Sequence, residues 1–516
     1  MPASPNKKNI RQLIITLFLL SLGSLSHAAE TAACATLASL QIPSGSITSA
    51  EIISAGAFAP PGSGPAGEGP NRLYLPLPEF CKVALTLRPS DDSDIRMEVW
   101  LPTANWNGKY LAVGNAAFTG NIRYPSMVAP LLGGYATSST DTGHEGNTAS
   151  FGLGHPEKVI DFGWRAVHEM AEVSKWVIAA YYARGPEYSY FNGCSAGGRQ
   201  AMKEAQRFPD DFDGIIAGAP GLDWTGRAVS ALRIEKYLTG NPQAMLLEPQ
   251  RELLHAGALL ACDANDGVTD GVIENPLQCR FDPADLQCRG DATADCLSPA
   301  QVKTAQLIYA SPANPATGRA ITGLLPGSEP GWTDLGWTAS ARDTGDNQLK
   351  YLVYGDTDWT VEQFDFDIDS AKAELTDADT LNALDPDLRA FIAGGGKLIQ
   401  YHGWVDPQIS PANSSQYYER VVDLFGSREA IHDNYRLFMV PGMGHCGGGP
   451  GPNSFDTVSA LEAWVESGIA PDSIEAAHQT QGVTDRTRPL CPYPEVAVYN
   501  GAGSTDDAYN FSCRSP

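Results

Sequence analysis

The pentapeptide Gly193-Cys194-Ser195-Ala196-Gly197 lies between a short apolar run, Tyr188 to Asn192, and a helix-like segment, Arg199 to Arg207. Glycines flanking a serine let a strand and a helix approach closely across a sharp turn that exposes the hydroxyl. In a chain with 52 glycines the pattern is weak on its own. Asp406 follows an apolar run in Tyr401-His402-Gly403-Trp404-Val405-Asp406-Pro407, and His445 follows another in Gly442-Met443-Gly444-His445-Cys446-Gly447. Taken singly, the first is an ordinary turn aspartate before proline and the second an ordinary loop histidine. Together they give Ser, then Asp, then His, each on a loop after a strand, which is the chain order of a nucleophile elbow with its acid and base. The chemistry expected is acyl transfer. Ser195 attacks, His445 takes its proton and returns it to a leaving alcohol, and Asp406 orients the imidazole. The developing oxyanion needs two backbone N–H groups. One is expected from Ala196, the residue after the nucleophile, and the other from Ala116, in Gly114-Asn115-Ala116-Ala117.

Cys194 immediately precedes the serine and Cys446 immediately follows the histidine. If the triad forms, these two are neighbours, and a disulfide holds its Cα atoms about 4.4–6.8 Å apart. Such a bond would pin the histidine loop to the elbow, and the chain-entropy picture values it at roughly 5 kcal/mol. The other cysteines are Cys34, Cys81, Cys262, Cys279, Cys288, Cys296, Cys491 and Cys513. An even total in an exported chain argues for disulfides throughout, and no C-x-x-C or Cys/His spacing points to zinc. Between Cys262 and Cys279, Asp263, Asp266 and Asp270 stand in a loop that also holds Gly267 and Gly271. Hard oxygen ligands at that density suit a structural Ca²⁺, with backbone carbonyls completing the shell, although the spacing is not that of an EF-hand.

The elements that must position these residues follow a β/α alternation. Strand-like runs are read at Ile95–Trp100, Lys109–Val113, Gly134–Thr137, Tyr188–Asn192, Asp213–Ala217, Lys397–Tyr401 and Tyr435–Val440, with helices at Gly163–Arg184, Arg199–Arg207 and Phe455–Ser467. Such alternation implies a mostly parallel sheet with helices on both faces, and with the triad order it predicts an α/β-hydrolase fold. About 180 residues separate the strand at 213–217 from the next of its kind, too many for one sheet connection. Residues 225–385 are therefore expected to form an inserted lid domain carrying the acidic loop, with 29–224 and 386–516 as the catalytic domain. The Gly-, Pro-, Ser- and Ala-rich stretch from Ala29 to about Gly69 reads as an extended arm. Lys7, Lys8 and Arg11 precede an apolar run, Leu13 to Leu25, and Ser26-His27-Ala28 follows, so residues 1–28 read as a signal peptide and the mature protein as secreted or periplasmic. That run is too short to span a membrane. The chain carries 35 basic against 60 acidic residues, and losing 1–28 removes bases only. So negative a surface repels nucleic acid and anionic lipid.

With Cys194-Ser195, Asp406 and His445-Cys446 in place, the chain resembles the tannase and feruloyl esterase family, which also includes a hydrolase of mono(2-hydroxyethyl) terephthalate, over nearly all of its mature length. The resemblance implies Ca²⁺ ligands at Asp263, Asp266, Val268, Asp270 and Val272, the valines through their carbonyls. It also implies the pairings Cys34–Cys81, Cys262–Cys279, Cys288–Cys296 and Cys491–Cys513 beside Cys194–Cys446. Where the terephthalate enzyme carries Glu after its serine and fungal feruloyl esterases often carry Thr, this chain has Ala196, which leaves the amide in place and the substrate open. The expected function is hydrolysis of a small-molecule ester of an aromatic acid, such as a hydroxycinnamic or gallic acid. The competing readings are a short-chain or lactone esterase on the same scaffold, and a non-catalytic binder of phenolics, which would have no need of all three triad residues. A run from Tyr351 to Trp359, followed by Phe364 and Phe366, is unusually aromatic for a polar insertion. Most of it reads as the lid's own core. Some of it is expected to line a slot for the acyl group, with Lys350 and Arg342 toward the far end.

Overall fold

A computed structural model describes residues 33–290, 295–334 and 345–515. The signal-peptide reading over 1–28 and Arg342 lie outside the described residues. The chain divides into two compact units, and the divisions fall within continuous segments rather than at a single linker.

The first unit is built on antiparallel strands. β1 (Gly45–Ile53) pairs with β2 (Phe80–Leu87), and β2 with β3 (Ile95–Pro102), in registers Ile53↔Phe80 and Phe80↔Pro102. β4 (Lys109–Val113) and α1 (Tyr124–Leu132) lead to β5 (Ala136–Thr140), which lies next to β3. The stretch read as an extended arm thus contains a nine-residue strand. Ile47, Ile52 and Ile53 supply only a broken apolar pattern there, and a bulge between Ile47 and Ser49 shifts its alternation. β5 begins two residues later than the sequence suggests. Gly134 has a φ of +79° and its N–H closes a turn on the Leu131 carbonyl, so it ends that turn rather than starting the strand. Phe58, Tyr74, Phe80, Trp100 and Tyr124 pack ring against ring, and Cys34–Cys81 ties the first described turn to β2.

The second unit holds the parallel strands. β6 (Tyr188–Cys194), β7 (Gly214–Gly218), β8 (Lys397–Gly403) and β9 (Tyr435–Val440) pair in sequence order, with Cys194↔Gly218, Gly218↔Tyr401 and Gly403↔Val440 in register. Their near-continuous apolar character is what burial on both faces requires. Because all four run the same way, their C-terminal ends share one edge, where sheets of this kind carry their sites. α2 (Ala166–Tyr182), most of which belongs to the first unit, precedes β6 in the chain and is entered through a wider π turn at Asp161–Arg165. α3 (Ala196–Arg207) follows β6 and starts three residues earlier than its sequence suggests. Between β7 and β8 come α4 (Trp224–Gly240), α5 (Glu248–Cys262), α6 (Pro299–Tyr309) and α7 (Phe366–Asp377). Leu254, Leu297, Val302, Ile308 and Trp332 form one apolar cluster in this segment, and Leu232, Leu349, Trp359 and Phe364 another. α8 (Ala412–Phe425) and α9 (Thr457–Ser467) flank β9, and the hairpin of β10 (Ile474–Thr480) with β11 (Val483–Leu490) and the pair β12 (Val496–Tyr499) with β13 (Phe511–Arg514) finish the chain.

Candidate active site

Ser195 sits at the junction of β6 and α3 with φ +66° and ψ −120°, a backbone state that a side-chain-bearing residue adopts only when its surroundings enforce it. Two glycines enforce it here. A Cβ on Gly193 would fall 2.4 Å from the Gly197 carbonyl oxygen, and one on Gly197 would fall 2.9 Å from the Asn115 carbonyl oxygen. The Ser195 N–H donates to Gly218 O at 3.0 Å, and its carbonyl accepts from Arg199 N at 2.9 Å. The elbow is therefore held by β7 on one side and by the first turn of α3 on the other.

The acid and base reach it from the ends of β8 and β9. Trp404 N donates to Val440 O at 2.9 Å and Val405 N to Met443 O at 3.1 Å, which laces the two loops together. His445 Nε2 lies 2.8 Å from Ser195 Oγ, and its Nδ1 lies 2.7 Å from Asp406 Oδ2. With Nδ1–H donating to the carboxylate, Nε2 is left as the acceptor facing the serine hydroxyl, the tautomer a general base needs. Asp406 is completely buried. Its Oδ1 accepts from Gln408 N at 2.8 Å and Ile409 N at 3.0 Å. Burial pushes its pKa up, but the charge of His445 and hydrogen bonds from His402 and His445 outweigh that and hold it well below the usual carboxylate range. The carboxylate is thus ionised at neutral pH. Cys194 and Cys446 are bonded with Cα atoms 6.0 Å apart, and Cys446 has a φ of +63°, so the histidine loop is tied to the elbow one residue from each reacting side chain.

The two amides expected at the oxyanion lie where the elbow and the loop after β4 meet. Ala196 is the first residue of α3, where an N–H has no partner within the helix. A Cβ on Gly114 would fall 2.6 Å from Gly197 Cα, so that loop rests on the helix start. Asn115 N is taken by Gln200 Oε1 at 2.9 Å, and Asn115 Nδ2 by Thr140 O at 2.8 Å, which fixes the loop and leaves the Ala116 amide as the next donor along it.

Around Ala196, Phe118, Phe162 and Trp224 form a buried aromatic cluster, with Phe151, Tyr351 and Leu352 packed against it. Of the aromatic run, Tyr351 thus packs against this cluster. Trp359 and Phe364 are buried in the insertion's own cluster, with Tyr354 and Phe366 packed on it. Lys350 is half-buried.

His402 was not evident from the sequence. It is fully buried four residues before Asp406, with Nε2 3.1 Å from Asp406 Oδ2 and from Ile409 O, and Nδ1 2.7 Å from Ser414 Oγ. It braces the acid at the same oxygen, Oδ2, that His445 contacts. The only hint was a polar residue ending an apolar strand. Arg199 and Gln200 were likewise missed. Arg199 is wholly buried, donating to the carbonyls of Phe162, Gly163 and Leu381, and so secures the segment before α2 to the elbow helix.

The acidic loop carries its carboxylates inward. Asp263 accepts from Asp270 N at 3.2 Å and Gly271 N at 3.0 Å, while Asp266, Asp270 and Val272 line one cavity beside Glu274. Burial, followed by the charges of Asp270 and Asp263, raises the pKa of Asp266, although Val268 N donates to it. Asp270 Oδ2 also receives Arg488 Nη2 at 2.7 Å. Arg486 also reaches Asp270 Oδ2, at 3.3 Å, so the two arginines offset part of the loop's charge, and the donor set of hard oxygens is of the kind that calcium takes. The pairs Cys34–Cys81, Cys262–Cys279, Cys288–Cys296 and Cys491–Cys513 are also formed. Elsewhere among the described residues, ligand atoms of His168, Glu204 and Asp211 lie within 4.8 Å of one another, but His168 is engaged by Asp211 at 2.7 Å and stacked on Phe208.

Comparison with known proteins places these residues in a wider setting. The family described as "Tannase and feruloyl esterase" matches residues 81–514. An uncharacterized esterase of Xanthomonas campestris is 41% identical over 488 residues, covering 85% of this chain and 84% of that protein. A mono(2-hydroxyethyl) terephthalate hydrolase of Piscinibacter sakaiensis is 34% identical, covering 85% of each. The crystal structure of feruloyl esterase B from Aspergillus oryzae superposes with a TM-score of 0.85 at 30% identity, covering 94% of this chain and 100% of that one.

Proposed function

The chain belongs to the tannase and feruloyl esterase family, and from that premise we propose that it hydrolyses carboxylic esters of aromatic acids through an acyl-enzyme on Ser195. The observation that carries the reading is the unbroken line from Asp406 Oδ2 through His445 to Ser195 Oγ, at 2.7 and 2.8 Å. Ser195 Oγ attacks the ester carbonyl carbon while His445 Nε2 takes its proton, and the imidazolium so formed is stabilised by the ionised Asp406. The carbonyl oxygen becomes an oxyanion facing the amides of Ala196 and Ala116. Collapse breaks the bond to the alcohol oxygen, which leaves with the proton from His445. Water, deprotonated by the same nitrogen, then releases the acid and restores Ser195.

The aromatic preference is supported by Phe151 and Tyr351, the half-buried rings at the edge of the cluster that includes Ala196, since a flat acyl group stacked on such rings gains about 0.5–1.5 kcal/mol per pair beyond burial. Calcium on Asp263, Asp266, Asp270 and the carbonyls of Val268 and Val272 would supply charge balance to the insertion and take no part in the chemistry. Export is supported by the disulfides and by the basic-then-apolar start of the sequence, and no described helix is long and apolar enough to cross a membrane. The test of substrate class is kcat/KM for methyl ferulate and methyl gallate against methyl butyrate. A preference for the aromatic acids is expected, and a clear preference for butyrate would replace this reading with a short-chain esterase on the same triad.

A further inference from the structure

A second cavity opens between the first half of α4, the segment after α6 and the turn that follows Asp406. Neither Ser195 nor His445 lines it. Its floor is apolar, made by Ile234, Ile308, Ile321 and Leu324, each at least nine-tenths buried. Its polar lining is rich in donors. Arg227 makes one side-chain hydrogen bond, from Nε to Gln408 O at 2.8 Å, and forms no ion pair among the described residues, so both Nη groups are left over. The Thr322 hydroxyl, in a residue only 7% exposed, has no hydrogen-bond partner among the described residues. The one carboxylate at the rim, Asp223, is already held by both Nη atoms of Arg319. Burial lowers the pKa of Arg227, and the charge of Asp406 opposes that.

A half-buried guanidinium with two N–H edges not engaged by the protein, beside an unsatisfied hydroxyl and above an aliphatic floor, has a definite chemical complement. It is a carboxylate, because a planar fork binds two oxygens at once, attached to a compact hydrocarbon body that fills the floor. We infer that this cavity binds a small monocarboxylate, its oxygens on the Nη groups of Arg227 and the hydroxyl of Thr322 and its apolar body against Ile234, Ile308, Ile321 and Leu324. The Gln408 carbonyl that Arg227 holds belongs to the residue whose N–H donates to Asp406 Oδ1, so the occupant lies directly behind the acid turn. The inference uses no assignment at Ser195 and stands apart from the proposed hydrolysis.

The experiment is calorimetric titration of the whole, disulfide-intact protein with benzoate, its uncharged isostere benzamide, and ferulate. An aromatic acid released by ester hydrolysis and one supplied by the surroundings share this chemistry, and the ferulate arm separates them: binding of benzoate alone points to the surroundings. One benzoate per chain is expected at a Kd of about 1 mM or tighter, with benzamide weaker by roughly tenfold or more. Arg227→Met should weaken benzoate by a similar factor, and Thr322→Val by less. Ala231→Trp, on the half-buried helix face lining the cavity, fills the space while leaving Arg227 and its Gln408 contact intact, and it should abolish binding. Should Arg227→Met melt early, Ala231→Trp decides alone. Equal affinity for benzoate and benzamide, unchanged benzoate binding in Ala231→Trp, or no heat with the parent protein would overturn the inference. Hydrolysis need not occur for any of these outcomes to be read.

Discussion

Replacing both Cys194 and Cys446 by serine should slow catalysis on the order of 100-fold while lowering Tm by only about 5 °C. The bond closes a separation of 252 residues. The loop-closure expression then gives about 5 kcal/mol of destabilisation, acting through the unfolded chain. For a chain of 516 residues, an unfolding entropy of roughly 2.1 cal/mol/K per residue converts that into a fall in Tm of only about 5 °C. The local effect is larger in consequence. The loop carrying His445 contains Gly442, Gly444, Gly447, Gly448 and Gly449, and it is anchored to the nucleophile turn covalently at Cys446. Once released, it keeps the contacts of Met443 and Gly444 but loses its hold one residue beyond the imidazole. A displacement of about 1 Å in the base costs on the order of 100-fold in rate. The assay is kcat/KM on a chromogenic ester beside a thermal melt, both on the purified double variant. Activity within about threefold of the parent, in a protein that melts cooperatively, would refute the claim that the disulfide positions the base.

His402→Gln should lower kcat by roughly tenfold with KM little changed, because the acid loses a brace while the cleft is untouched, and steady-state kinetics would show it. A variant with parental kcat would make His402 a packing residue only. Chelation with EGTA should lower Tm without a matching loss of kcat at temperatures where the protein stays folded. An unchanged melt, with no metal by elemental analysis, would remove calcium from the 263–272 loop.

The triad was readable in the sequence because its three residues sit at strand ends, where local patterns are strongest and chain order carries information. The same holds for Cys194 and Cys446, whose meaning came from adjacency to Ser195 and His445. β4 and β9 were found over their full lengths for the same reason, being compact apolar runs. α3 was read short because Gly197 and Gly198 discourage a helix, while Arg199, Gln200, Lys203 and Glu204 look like a solvated face yet are all fully buried. Their burial depends on carbonyls of distant segments, as Lys203 shows in donating to Asp379 O at 2.7 Å. His402 escaped for a related reason, since its partners Ser414 and Ile409 carry no sequence signal of their own. The cavity at Arg227 is assembled from residues between 223 and 413, and no local pattern could have announced it.

Trapping the acyl-enzyme tests the central claim most directly. Acid-quenching a rapid mixture with methyl ferulate, followed by peptide mass mapping, should place a feruloyl adduct on the peptide containing Ser195. Ser195→Ala should show neither the adduct nor turnover, with its melt unchanged. An adduct on another residue, or hydrolysis by Ser195→Ala within about tenfold of the parent, would contradict the assignment of Ser195 as nucleophile.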